Sequence, residues 1–229
     1  MRIEPHELGT EKNRLLIVDD FLPDARQVVA FAARRAPFAP EKTTSYPGLR
    51  HQLTPDQPEG AAYVRAVLQA AAPAICGAFG ARGFDIVEAS LSIVTTRPPD
   101  LTPVQRMPHF DSPDPNHVAI LHHLHDLPGT GTAFYRHRRT GFERASAARR
   151  TVLEPAWRED RLEYGEPQVG LAATGYDKIF QAQGRFNRLL IYQGALFHSG
   201  VLPPDFSYDP DPRTGRLTGT LFVKLTPNV

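Results

Sequence analysis

The chain has 229 residues, 41% of them hydrophobic and 22% charged, a composition that can bury a core and a length that all-β barrels and sandwiches occupy as one domain. Its 26 Lys and Arg against 25 Asp and Glu leave a net charge of +1, which supplies no global field for a polyanion and argues against nucleic acid as a partner. A single cysteine, Cys76, excludes an internal disulfide framework and any cysteine-based zinc cluster.

Residues Met1 to Leu8 lack the apolar segment and small-residue cleavage site of a secretory signal, so a cytoplasmic location is the expectation. Leu15 to Val18 is a short apolar run that predicts a strand. Phe21-Leu22-Pro23-Asp24 then predicts a helix start, with apolar residues recurring at Val28, Val29, Phe31 and Ala32. Prolines 37, 40, 47, 55 and 58, with a turn at Tyr46-Pro47-Gly48, predict an ordered loop or a sheet edge over 36–60. Ala62, Val64, Val67, Leu68 and Ala71 recur at helical spacing and predict a second helix over 60–77. No uninterrupted apolar run approaches the roughly 18 residues of a membrane span, so no membrane partner is expected.

From Phe84 the pattern changes to strand-sized pieces at 84–87, 91–95, 118–124, 132–135, 189–192 and 217–225. Residues 136–185 interrupt that regularity with many charges, including Arg136, Arg138, Arg139, Arg144, Arg149 and Arg150. A stretch of this length in a compact domain suits a functional cover, and Trp157 and Tyr176 are candidates to line or anchor it. These elements predict one domain over 1–229 of β-rich α+β class. A strand-helix layer over about 13–80 packs on one face of a sheet core over about 84–227, with an inserted lid-like stretch at 136–185.

The chemistry centres on Pro108-His109-Phe110-Asp111. In a strand, residues i and i+2 project from one face about 6 to 7 Å apart, so His109 and Asp111 can converge on one ion. His198, in Phe197-His198-Ser199-Gly200 after the apolar strand at 189–192, offers a third ligand. Two imidazoles and one carboxylate leave three positions of an octahedral ion open, which suits Fe(II), a bidentate oxoacid and dioxygen. Arg216 begins the last strand and shares a face with Thr218 by alternation. A guanidinium fork and a hydroxyl there suit the distal carboxylate of 2-oxoglutarate.

In these segments, and in Gly131-Thr132-Ala133-Phe134-Tyr135 and Gly215-Arg216-Leu217-Thr218, the sequence resembles the prolyl-hydroxylase-like Fe(II)/2-oxoglutarate-dependent dioxygenases over roughly residues 90–225. The resemblance implies a double-stranded β-helix, or jelly roll. It also implies His109, Asp111 and His198 as catalytic metal ligands, Arg216 and Thr218 as cosubstrate contacts, and Fe(II), 2-oxoglutarate and dioxygen as cofactors. The Pro- and Asp-rich loop at 203–212 is longer than such proteins usually carry, and it leaves Arg213 as a rival anchor. Retention of Asp111 favours hydroxylation over halogenation, because no ligand position is vacated for a halide.

Tyr192 is a candidate cosubstrate contact, and Gln105 and Tyr135 are candidate substrate contacts, with core packing the alternative for the two tyrosines. His122 and His123 would face opposite sides of a strand, so they cannot chelate one ion together; with His125 they are expected to pack or to hydrogen-bond. His117 and His137, beside turn-like and basic residues, are expected at the surface. The substrate class is a small molecule or a peptide, and the oligomeric state is not legible. The competing reading is a metal-binding jelly roll that is non-catalytic, or a cupin-like enzyme that needs no oxoacid and recruits His122 or His123 as a ligand.

Overall fold

The structure, a computed structural model, describes residues 1–40, 46–164 and 175–228. Its strands are β1 (Arg2–Leu8), β2 (Asn13–Asp19), β3 (Ala39–Pro40), β4 (Gly48–Gln52), β5 (Ala81–Val94), β6 (His117–His123), β7 (Gly131–His137), β8 (Tyr176–Gln183), β9 (Arg188–Gln193), β10 (His198–Val201) and β11 (Leu217–Pro227). The main helices are α1 (Ala25–Arg35), α2 (Pro58–Phe79) and α3 (Arg150–Tyr164). Eight strands form an antiparallel sheet in the order β1-β2-β9-β6-β11-β5-β4-β3, and three form a second in the order β10-β7-β8.

The central strands explain the layering. In β9 every residue from Leu189 to Tyr192 is buried, as expected of a strand covered on both faces. Leu189 and Ile191 join the core beneath α1 and α2, whereas Leu190 and Tyr192 pack inward with Phe134 of the smaller sheet. Strand β2 divides the same way, with Leu16 and Val18 toward the helices and Leu15 and Ile17 inward. The result is a jelly-roll core of two facing sheets, with the helices on the outer face of the larger one.

Both expected helices form. Helix α1 buries Ala25, Val28, Phe31 and Ala32, and α2 buries Gly60, Tyr63, Val67, Ala71 and Ile75, the spacing of one helical face. Pro58 opens α2 and Gly80, at φ 64°, closes it, each in its preferred position. By length and composition alone α2 is apolar enough to cross a membrane, but its buried stripe lies on the sheet.

Four features depart from the sequence expectation. Strand β1 is an addition: it is polar, mostly exposed and contains Pro5, which an edge strand tolerates because no second neighbour needs the missing N–H. Strand β5 is one strand of 14 residues where two pieces were expected. Its register slips from Phe222↔Glu88 to Val223↔Ile86 and leaves Val87 as the extra residue of a bulge, which breaks the apolar pattern. The interval 136–185 is not a bare loop, since it carries the end of β7, α3 and β8; residues 165–174 of this expected cover lie outside the described ones. Finally, His137 is buried, contrary to the expectation of a surface role. Its Nε2 lies 2.6 Å from Asp160 Oδ2 and its Nδ1 2.9 Å from Thr140 Oγ1, so it anchors α3 to β7.

Candidate active site

The three predicted ligands converge. One donor atom from each of His109, Asp111 and His198 lies within 4.8 Å of the others. His109 sits outside any long strand, yet it exchanges two backbone hydrogen bonds with His198, N–H to O at 2.9 and 2.8 Å. This reciprocal pair fixes both imidazoles side by side, with ring centroids 4.4 Å apart. Asp111 is placed by its own N–H, which donates to Gly194 O at 2.7 Å. A Cβ on Gly194 would come within 2.4 Å of His117 Nδ1 and 3.3 Å of Asp111 Cβ, so a side chain there would press on His117 and crowd the His-x-Asp segment against the end of β9.

The chemistry of the donor set fits a divalent metal. His198 Nδ1–H donates to Leu196 O at 2.9 Å, which leaves the Nε2 lone pair for the ion. Burial, reinforced at His109 by its neighbour His198, lowers both ligand imidazoles to about 4, so they are neutral near pH 7, as ligands must be. Burial raises the Asp111 carboxyl, against the opposing pull of His109, His117 and Arg50. A cation at the centre would favour the carboxylate form.

A second group of polar atoms lies on the same inner side. Arg216 is 4% exposed, its Nη2 donates to Gly131 O at 2.9 Å, and its Nε has no partner. Among the described residues no carboxylate pairs with it. Burial lowers this guanidinium, with Tyr46 and Tyr192 opposing. The Tyr46 hydroxyl and Thr132 Oγ1 are also buried without hydrogen bonds, and the Tyr46 phenol is raised by burial despite the nearby Arg216 charge. Thr218 stands opposite both Ser92 and His123 in the sheet and only reaches Ser92 O at 3.5 Å. A buried cation with idle donors around it is costly alone and is the complement of a carboxylate. An oxoacid with a distal carboxylate therefore fits this pocket.

Tyr192 adjoins both groups. Its ring lies 5.0 Å from that of His198, and burial and the Asp111 charge push its hydroxyl well above 10 against the pull of Arg216. Tyr135 donates to or accepts from Ser199 Oγ at 3.0 Å and belongs to an apolar cluster with Phe110, Trp157, Tyr176 and Phe197. In that cluster Trp157 Nε1–H donates to Tyr176 OH at 3.0 Å, and its ring stacks on Phe110, which lies between His109 and Asp111 in sequence.

Other expected residues stand elsewhere. Gln105 is engaged at both amide atoms, where Oε1 accepts from Thr102 N–H at 2.9 Å and Nε2 donates to Tyr46 O at 3.1 Å, so it braces the loop that carries Tyr46. The Arg213 side chain is 63% exposed and pairs with Asp211, whereas Arg216 is buried. His122 cannot be an extra ligand, because it lies on the helix-covered face with Nδ1 at 3.1 Å from Tyr63 OH and Nε2 at 3.1 Å from Asn187 Oδ1. His117 is half-buried against Phe222 near Asp111, not at the surface. The residues that sequence reasoning missed are Tyr46 and Thr132, and also Arg50 and Glu88, whose charges reach Asp111. Arg50 and Glu88 pair at 3.4 Å on the inner face. None belongs to a motif; only strand register brings them together.

The fold is shared with solved proteins that depend on or bind 2-oxoglutarate. The 2-oxoglutarate-dependent epimerase SnoN of nogalamycin biosynthesis matches with a TM-score of 0.56 over 95% of this chain and 82% of its own, at 12% identity. HygX from Streptomyces hygroscopicus, solved with nickel and 2-oxoglutarate, matches with a TM-score of 0.52 over 94% and 84%, at 13% identity. The architecture is thus a double-stranded β-helix. Residues 1–223 match a family of unknown function, DUF6445, and the chain belongs to that family. No curated protein sequence matches the chain.

Proposed function

We propose that this protein is an Fe(II)- and 2-oxoglutarate-dependent oxygenase that hydroxylates a C–H bond of a small-molecule or peptide substrate. The observation that carries this reading is Arg216, a buried guanidinium without a carboxylate among the described residues, on the same inner side as a two-histidine, one-carboxylate triad. A purely structural metal would have no use for such an anchor.

Iron, 2-oxoglutarate and dioxygen would together supply the oxidation of the C–H bond. His109, Asp111 and His198 present two nitrogens and one oxygen from a single side, with His198 held in one tautomer by Leu196 O. Arg216 and Thr218 would hold the distal carboxylate and so orient the oxoacid. Tyr192 and Phe134, with ring centroids 5.1 Å apart, wall the site against water. Tyr135, Phe110 and Trp157 form an apolar rim, and Arg50 and Glu88 a charged one, between which a substrate carbon is positioned.

Anaerobic titration of the apoprotein with Fe(II) and then 2-oxoglutarate tests the reading. A visible charge-transfer band is expected that is lost in Asp111→Ala and weakened in Arg216→Ala. Iron bound without a band in the wild type would remove the oxygenase reading and leave a metal-binding jelly roll or an oxoacid-independent cupin-like enzyme.

A further inference from the structure

His123 is fully buried on the inner face of β6, directly opposite Thr218 of β11. Two contacts determine where its proton resides. The Leu127 N–H donates to His125 Nδ1 at 3.3 Å, so a neutral His125 carries its hydrogen on Nε2. That Nε2–H faces His123 Nδ1 at 3.2 Å and makes it the acceptor. A neutral His123 must then carry its own hydrogen on Nε2, a donor that is buried and has no partner. Both imidazoles are neutral: burial holds His125 at about 3 and His123 well below 6.5, with the nearby Arg216 charge acting on each in the same direction.

An idle N–H donor in the interior is rare. Here the nearby Arg216 Nε, and Thr132 Oγ1 on the smaller sheet, are idle as well. We propose that His123 Nε2–H is a further donor to the distal carboxylate of the oxoacid, and that His125, fixed by the Leu127 backbone, is a positioning residue that sets its tautomer. The chain would thus present a neutral imidazole donor next to the guanidinium, shaping the pocket for a dicarboxylic oxoacid over a monocarboxylic one. This rests on the oxygenase reading above.

The test compares two oxoacids on anaerobic Fe(II)-loaded protein, with band intensity as the binding readout. For His123→Phe, affinity for 2-oxoglutarate is expected to fall roughly 10- to 100-fold, the loss of one hydrogen bond to a charged group. Affinity for 2-oxobutyrate, which lacks the distal carboxylate, should not change. His123→Gln, which restores an N–H donor, should stay within about threefold of wild type. An equal loss for both oxoacids, or no loss for either, overturns the assignment of His123 while leaving the oxygenase reading intact. Absence of binding to the wild type overturns both. Should the variants fail to fold, nitrogen-15 NMR of histidine-labelled wild-type protein loaded with Zn(II) decides. A protonated Nε2 on His123 that shifts when 2-oxoglutarate is added supports the proposal, and a protonated Nδ1 or an unmoved signal refutes it.

Discussion

His122 and His123 are adjacent on one strand, and the two faces of the large sheet treat them oppositely. On the helix-covered face, His122 has both nitrogens engaged, by Tyr63 and Asn187, and its ring stacks on Tyr63. On the inner face, His123 Nε2, Ser90 Oγ and His117 Nδ1 are buried and idle, as are Arg216 Nε, Tyr46 OH and, on the smaller sheet, Thr132 Oγ1. A face that only has to hold the fold together satisfies its polar groups. A face that leaves several unsatisfied in one place bears a cost that a ligand removes on binding. The contrast separates packing from function within a single strand.

Acid should strike both faces, and with the largest effect. His122 is lowered to about 4, His125 to about 3 and His123 well below 6.5, all chiefly by burial. The unfolded chain takes up protons on these residues near pH 6.5, while in the folded protein His122 does so only near pH 4, His125 only near pH 3 and His123 only well below 6.5. Stability is therefore complete above about 6.5 and falls as pH drops toward 4. The slope is up to about 1.4 kcal/mol per pH unit for each imidazole. Denaturant melts of the apoprotein between pH 7 and 4.5 check this, and a flat profile would remove the buried neutral histidines.

Substitution then separates the faces. Arg216→Met, similar in length but uncharged, should weaken 2-oxoglutarate binding by roughly 100-fold without lowering the apoprotein's Tm, because it deletes an unpaired buried charge. Calorimetric binding and a thermal melt read the two effects side by side. His122→Phe should do the reverse. It strands Tyr63 OH and one bond of Asn187, at about 1–3 kcal/mol of stability, and leaves cosubstrate affinity unchanged. Gly194→Ala is the mildest: the added methyl pushes on His117 and the Asp111 segment, and Fe(II) affinity should fall roughly tenfold with the fold retained on circular dichroism.

The same contrast explains what the sequence could disclose. Strands buried on both faces, such as Leu189 to Tyr192, and helices with a three-four apolar spacing, such as α2, announce themselves by composition. The triad was legible because His109 and Asp111 are two residues apart and His198 follows an apolar strand. Strand β1 was not, since an edge strand with one partner needs neither apolar alternation nor a free N–H at Pro5. The contacts of Gln105 are not legible either, because closeness in sequence to His109 says nothing of direction; a single helical turn at Val104–Arg106 aims its amide at Thr102 and Tyr46. Tyr46 and Thr132 join Arg216 only through the pairing of segments far apart in the chain, which no local pattern encodes.

The most direct test of the central claim is a crystal structure of the Ni(II)-loaded protein grown with 2-oxoglutarate. The expected result is metal on His109, Asp111 and His198, with the diacid's far carboxylate on Arg216. A diacid lying elsewhere, or Arg216 still without a carboxylate at saturating 2-oxoglutarate, would contradict it.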